Sequence, residues 1–310
     1  MVNKICFFNH FHNGDCLATK EFVRELTQKF PAKYFYAHVN HPKILRDLDV
    51  TFIGMPNFLN GQINPKFIEE NDTLYINTWV GCYFPDRADD GVALIHPLPD
   101  GKIGSDINWK AYHRIWQHIY SVLNEKFSLN LELSPNVLDY AHSIDHQKFN
   151  YQSVDNFISS QKNKKFVLIS NGAGFSNQSY QNHDLGSIFN NLCGQYHDRT
   201  FIFTSRFSQG KAVHENMFFT DDIIQPRDGS DLNEIGYLSK FCDIIIGRNS
   251  GPFLFANTKE NLNNSNKKFL AMGKTHEECF PYGLDTPCEF NFVYDTSDEV
   301  IVEEIWKLFK

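Results

Sequence analysis

No apolar run in this chain approaches the roughly 20 residues that a membrane-spanning helix needs. Basic excess is missing too: the formal net charge is −8, which removes the electrostatic footprint of a nucleic-acid binder or of a polybasic lipid-binding surface. The 7 cysteines include no Cys-x-x-Cys pair and are odd in number, which favours buried free thiols over disulfides or a zinc site. Neither the Gly-x-Gly-x-x-Gly spacing of a dinucleotide fold nor a P-loop lysine is present, which argues against NAD binding and an ordinary kinase. The opening MVNKICFF turns polar too soon for a signal peptide, so a cytoplasmic protein acting on small molecules or on other proteins is expected.

What is present is a globular composition, 42% apolar and 21% charged, on a chain of 310 residues that is long for one core. Its 29 Phe and 13 Tyr can furnish two cores. Apolar β-rich runs alternate with helix-period stretches, the pattern of parallel α/β units. Residues 5–8 read as a strand leading to a helix with Phe22, Val23, Leu26 and Phe30 on one face. Residues 34–39, 51–54 and 74–77 read as further strands, with a short helical piece carrying Ile44, Leu45 and Leu48. Trp109, Tyr112, Ile115, Trp116, Ile119, Val122 and Leu123 fall at helical spacing, and such an aromatic stripe is core. Residues 79–108 show neither period and read as a functional loop.

A polar segment, 143–165, reads as a linker helix and domain boundary. A second series follows, with strands at 166–170, 200–204, 243–247, 268–272 and 290–294 and helices near 185–192, from Asp231 and at 298–309. Asp231 and Glu234 have the spacing of a capping box. The expected domains are 1–150 and 151–297, with a terminal helix, 298–310, returning to the N-terminal domain.

Two stretches can carry chemistry. In NHFHNGDCLATKEFVR the first strand runs through a Gly-Asp turn into a helix, which puts Asp15 beyond a strand's carboxyl end, where ligands bind in open parallel sheets. A carboxylate near a helix N-terminus stays ionised and able to accept a proton, so Asp15 is a candidate general base, with His10 and His12 flanking it. In GRNSGPFLFANT a buried strand ends in Asn249, Ser250 and Gly251 before a helix, and Arg248 adds a planar donor; an anion site or an ordinary strand-to-helix turn fits equally. Ser170, Asn171 and Gly172 (in SNGAGFS) and Thr204, Ser205 and Arg206 also end strands and either line the same site or form solvated loops. Trp79 and Tyr83, with Asp86, Arg87, Asp89 and Asp90, suit an acceptor-sugar surface or plain solvation. Asp47-Leu48-Asp49 precedes a strand and reads as a solvated turn rather than a metal site; His142 and His146 have ligand spacing but no third partner.

Together these residues resemble the lipopolysaccharide heptosyltransferase family. HNGDCLATKEFVRELTQKFP looks like that family's opening Gly-Asp turn and helix, and DLNEIGYLSKFCDIIIGRNSGPF like its second-domain helix, strand and Asp-Thr-Gly-Pro turn. The resemblance implies an α/β fold of GT-B type, two Rossmann-like doubly wound parallel-sheet domains facing a central cleft. It implies an inverting, metal-independent glycosyltransferase with no cofactor beyond a nucleoside-diphosphate sugar as co-substrate. The partners implied are a nucleotide-sugar donor and a glycan or glycolipid acceptor of surface-polysaccharide or lipopolysaccharide assembly, with peripheral membrane contact allowed and no nucleic acid.

Carried over by position, Asp15 is the base and Asn13 an acceptor contact, while Asn249, Ser250 and Gly251 hold the donor diphosphate and Ser170 and Asn171 open the nucleotide-phosphate loop. The chain departs from the pattern at Asn249, where the family has Asp, and at Leu254, where it has His; no lysine follows Asn171, leaving Arg206 or Arg248 as the substitute charge. The alternatives are a catalytically silent sugar-nucleotide-binding protein, or a GT-B-shaped enzyme such as a nucleotide-sugar epimerase or a fucosyltransferase-like enzyme.

Overall fold

Parallel strands buried on both faces must be nearly continuous apolar runs, and the chain folds around two sets of them. The computed structural model describes residues 4–11, 13–38, 42–95, 108–145, 147–172, 185–206, 214–225, 231–248, 250–273, 279–294 and 297–310. It divides into two units, Met1–His142 and Ser143–Lys310. That division falls earlier than the expected boundary at 150, because Tyr151 stacks on Tyr237 at 4.0 Å and Phe149 on Tyr151 at 5.9 Å, which ties this stretch to the second unit.

In the first unit the chain runs β1 (Lys4–Asn9), α1 (Asn13–Ala18), α2 (Lys20–Lys29), β2 (Lys33–His38), β3 (Thr51–Ile53), β4 (Phe67–Glu70), β5 (Thr73–Asn77) and α3 (Trp109–Phe127). The sheet order is β3-β2-β1-β5-β4, parallel except for β4, which is antiparallel to β5. β1, β2 and β3 step outward in one direction and β5 lies on the other side of β1, so the topology switches between β1 and β5. The β4–β5 hairpin turns on Asn71 and Asp72, both at positive φ (47° and 63°), as a two-residue hairpin turn requires. The aromatic stripe of α3 is core as expected: Trp109, Tyr112, Ile115, Trp116, Ile119 and Leu123 are all buried. Phe22 of α2 stacks between neighbours, on Trp116 at 5.3 Å and on Tyr140 at 4.1 Å.

The Asp47 reading is overturned. Its carboxylate is fully buried, 2.6 Å from Lys20 Nζ and 2.9 Å from Arg24 Nη2, and it anchors the start of α2 rather than a solvated turn.

The second unit runs α4 (Gln152–Ser160), β6 (Lys165–Ser170), α5 (Leu185–Gln195), β7 (Arg199–Phe203), β8 (Met217–Phe219), α6 (Thr220–Ile223), α7 (Leu232–Ser239), β9 (Cys242–Arg248), α8 (Gly251–Ala256), α9 (Lys259–Leu262), β10 (Lys268–Gly273), β11 (Glu289–Tyr294) and α10 (Asp298–Leu308). All six strands are parallel in the order β11-β10-β9-β6-β7-β8, so this sheet switches between β6 and β9. Those two strands approach so closely that a Cβ on Gly247 would lie 2.6 Å from Ser170 Cβ. The terminal helix does not form part of the first unit's core: Ile301, Ile305 and Leu308 of α10 pack with Phe201, Phe203 and Met272 in the second unit's own core. The Asp231 side chain makes no capping hydrogen bond at α7, so the expected capping box is not formed.

Candidate functional site

Each sheet gathers polar residues at the carboxyl end of its switch point, the place where open parallel sheets bind ligands. In the first unit two buried asparagines end those strands and bend the chain out of the sheet in the same way. Asn9 Oδ1 accepts from the Phe11 amide at 2.8 Å, and Asn77 Oδ1 accepts from the Trp79 amide at 3.0 Å, the side-chain turns that asparagine favours. The turns bring the Phe11 and Trp79 rings into a stack at 4.0 Å, and the Arg87 guanidinium lies 5.1 Å from the Trp79 ring. His38, the last residue of β2, holds the Phe11 carbonyl at 2.9 Å through Nε2.

Asp15 sits half-buried in the first turn of α1, behind Asn13 at the start of that helix. Tyr112 Oη donates to Asp15 Oδ1 at 3.3 Å. Burial, then the Asp15 charge, push the Tyr112 phenol well above its ordinary pKa, so it keeps its proton and acts only as a donor. The neighbouring Cys16 thiol is also pushed up, mainly by burial and further by Asp15, which keeps it from competing as a nucleophile. His10, just past β1, is half-buried against Phe8, and burial lowers its pKa against the pull of the Gln62 backbone. The imidazole is therefore neutral near pH 7, with Nε2 enclosed and without a hydrogen-bond partner among the described residues. His12 lies outside the described residues.

Tyr83 is a correction. It is fully buried, its hydroxyl donates to the Asn77 carbonyl at 3.0 Å, and it serves the core rather than an acceptor surface. Lys66, buried beneath it 5.5 Å from the ring, pairs with Asp90 at 2.5 Å and pins the loop that carries Arg87.

In the second unit Ser170 ends β6 opposite Gly247 of β9, and its hydroxyl meets that of Ser250 at 3.2 Å. Asn171 bridges to the loop after β7 in both directions, Nδ2 donating to the Ser205 carbonyl at 2.8 Å and Oδ1 accepting from the Ser205 amide at 2.9 Å. Gly172 fits against this bridge, since a Cβ there would stand 3.1 Å from Ser205 Oγ. Arg248, buried at the end of β9, donates through Nη1 to the Gly172 carbonyl at 3.3 Å, so its charge floors the junction. Ser250 is the N-cap residue of α8, followed by Gly251 and then Pro252, whose missing N–H is harmless there.

The two arginines proposed as alternatives are separated by the fold. Arg206 pairs with Asp221 and Asp222 of α6 and lies 5.0 Å from the Phe219 ring, so its charge is already neutralised. Thr204 is buried and its carbonyl accepts from Thr220 Oγ1 at 3.3 Å, a contact that fixes the β7–α6 corner. Asn249 lies outside the described residues, as does His146. Among the described residues no group of three His, Cys, Asp or Glu side chains is arranged to hold a metal ion.

Sequence reasoning missed Asn9, Asn77 and Tyr112 as site residues. The asparagines carried a signal, since each ends an apolar strand and precedes an aromatic residue by two positions; Tyr112 carried none, being one member of a core stripe.

No family model matches the chain, and no curated protein matches it. Solved structures do. A glycosyl transferase family 9 protein from Veillonella parvula DSM 2008 matches 98% of this chain and 89% of its own length at 11% identity, with a TM-score of 0.52. The E. coli ADP-heptose lps heptosyltransferase II matches 98% of both chains at 11% identity and 0.51. A UDP-GlcNAc 2-epimerase from Neisseria meningitidis, solved with UDP-GlcNAc, matches 99% of this chain and 91% of its own at 13% identity and 0.51. With two doubly wound sheets in sequence and these likenesses, the chain has a heptosyltransferase-like GT-B fold.

Proposed function

We propose that the chain is an inverting glycosyltransferase that moves a sugar from a nucleoside-diphosphate donor to a hydroxyl of a glycan or glycolipid acceptor. The observation that carries this reading is the second unit's switch point, where the Ser170 and Ser250 hydroxyls converge 3.2 Å apart beside the buried Arg248. Hydroxyl donors and a guanidinium are what a diphosphate leaving group needs when no metal supplies positive charge. The fold adds support, because its neighbours in structure include transferases and an epimerase named for nucleotide sugars.

In this reading Asp15 takes the proton of the acceptor hydroxyl as its oxygen attacks the anomeric carbon from the face opposite the diphosphate. The bond from that carbon to the diphosphate oxygen breaks, and the electron pair leaves with the nucleoside diphosphate. Asp15 contributes the general base and Arg248, Ser170 and Ser250 the stabilisation of the departing charge. His10, neutral near pH 7, is a second acceptor contact, and Asn13 and Trp79 face the acceptor. Acceptors of surface-polysaccharide or lipopolysaccharide type fit the reading; no helix among the described residues is long and apolar enough to cross a membrane.

Isothermal titration with ADP, UDP and GDP tests the donor side. One of them is expected to bind wild type in the micromolar range and Ser250→Ala at least several-fold more weakly. No binding by wild type, or equal binding by the variant, overturns the assignment. Chromatography of the sugar product separates the two chemistries: a glycoside marks a transferase, and a released sugar inverted at C2 marks the epimerase class.

A further inference from the structure

We infer that Tyr112 is a positioning residue for Asp15, holding its carboxylate in the ionised form and in one orientation; the inference rests on the assignment of Asp15 as the base. Tyr112 lies on α3, an element otherwise devoted to the core, and its ring is fully buried. Its hydroxyl nevertheless leaves that core and reaches Asp15 Oδ1 at 3.3 Å, across 97 positions of sequence. Such a distance is long for a resting O–H···O bond and leaves room to tighten as charge shifts during proton transfer.

The surroundings make the hydroxyl a one-way donor. Cys16 and Tyr36 face it from α1 and β2, and all three groups are held neutral by burial, the thiol and both phenols being pushed up. Tyr36 is turned to a different task, with its hydroxyl 3.0 Å from Thr78 Oγ1 beneath the β1–β5 switch point. The Asp15 carboxylate thus accepts from a phenol that keeps its proton, and a hydrogen bond to the charged form lowers the pKa of a carboxylate. Removing the Tyr112 hydroxyl raises the Asp15 pKa and frees the carboxylate to rotate away from an incoming hydroxyl, while Phe preserves the buried ring.

The test compares wild type, Tyr112→Phe and Tyr36→Phe. With aspartate carboxyls labelled with carbon-13 and the Asp15 signal assigned by its loss in Asp15→Asn, the Asp15 titration is expected to move up by about one pH unit in Tyr112→Phe. Tyr36→Phe is expected to lower the unfolding midpoint and leave that titration in place. In sugar-release assays on a panel of ADP-, UDP- and GDP-sugars, Tyr112→Phe is expected to lower kcat about tenfold, to shift the acid limb of the kcat profile upward and to leave the donor KM unchanged. An unmoved Asp15 titration in Tyr112→Phe, or an equal shift in Tyr36→Phe, overturns the positioning role. Turnover that survives Asp15→Asn overturns the base assignment instead, and the carboxyl titration still reads the hydrogen bond by itself.

Discussion

Asp47→Ala is expected to weaken the first unit by about 3–5 kcal/mol, because it takes the carboxylate away from the buried Lys20 ammonium. The Lys20 and Asp47 side chains are both 0% exposed and meet at 2.6 Å, while Arg24 adds Nη2 at 2.9 Å to the carboxylate. Arg24 Nη1 also donates to the Asp47 backbone carbonyl at 3.1 Å, and its Nε to Glu21 at 2.9 Å, so Arg24 keeps partners without the Asp47 side chain. Lys20 loses its 2.6 Å carboxylate, and in the variant its ammonium must stay charged in a dry site or lose its proton. With a urea dependence of about 2 kcal/mol per molar, the transition of the first unit moves down by about 2 M. Tryptophan fluorescence reads it well, since Trp79, Trp109 and Trp116 lie in the first unit and Trp306 alone in the second.

The same pair sets an acid limb. Burial opposes the charge of Asp47, but Lys20 and Arg24 outweigh it and hold the carboxyl below its usual range. A carboxylate depressed in the folded state adds stability that is complete above the unfolded value, about 3.9, and is lost as pH falls through the lower folded value. Wild type therefore loses this increment in acid and Asp47→Ala has none to lose. A double replacement, Lys20→Met with Asp47→Leu, is expected to recover most of the deficit, because two apolar groups leave no charge unpaired. A loss below about 1 kcal/mol in Asp47→Ala, or a double variant as weak as the single one, refutes the reasoning.

Arg248→Ala is expected to weaken nucleoside-diphosphate binding by roughly 10- to 100-fold in calorimetry, the range for a charge-assisted bond, and equal affinity contradicts its role. Gly247→Ala must push Ser170 and Phe253 aside, since its Cβ would lie 2.6 Å and 2.8 Å from them; a loss of about 1–3 kcal/mol in thermal unfolding is expected, with weakened donor binding. Lys267→Met removes the donor shared by the Ser239, Lys240 and Cys242 carbonyls across the turn from α7 to β9, at 2.9, 2.6 and 2.6 Å, and is expected to destabilise the second unit by about 2–4 kcal/mol without changing first-unit unfolding.

The fold was legible where local pattern and burial agree. The α3 stripe repeats at helical spacing and is core, and CDIIIGR reads as a central strand because parallel sheets bury both faces. β4 was missed since FIEE is short, half-exposed and antiparallel at a sheet edge, although the Asn71-Asp72 turn that follows was a hairpin signal. β8 escaped because it is only three residues long, at the other sheet's edge. Asp47 misled because a charged pair in a polar stretch looks solvated until Lys20 and Arg24, a helix away, are folded onto it. Tyr83 misled in the same sense: its Gly- and Asp-rich surroundings gave no sign that Lys66 and Asn77 would enclose it.

At the candidate site the residues on strand ends were legible, because a strand's carboxyl end can be found from the strand. Which arginine is already ion-paired was not, since it depends on Asp221 and Asp222 reaching Arg206 while Arg248 donates to the Gly172 carbonyl. Tyr112 depends on the packing of α3 against α1, which no local pattern encodes.

The most direct measurement compares wild type and Asp15→Asn in single-turnover transfer from whichever nucleotide sugar the calorimetry selects. The account predicts donor affinity within about twofold of wild type and a transfer rate reduced by about 10²- to 10⁴-fold, the span of a lost general base. Transfer by Asp15→Asn at the wild-type rate contradicts it.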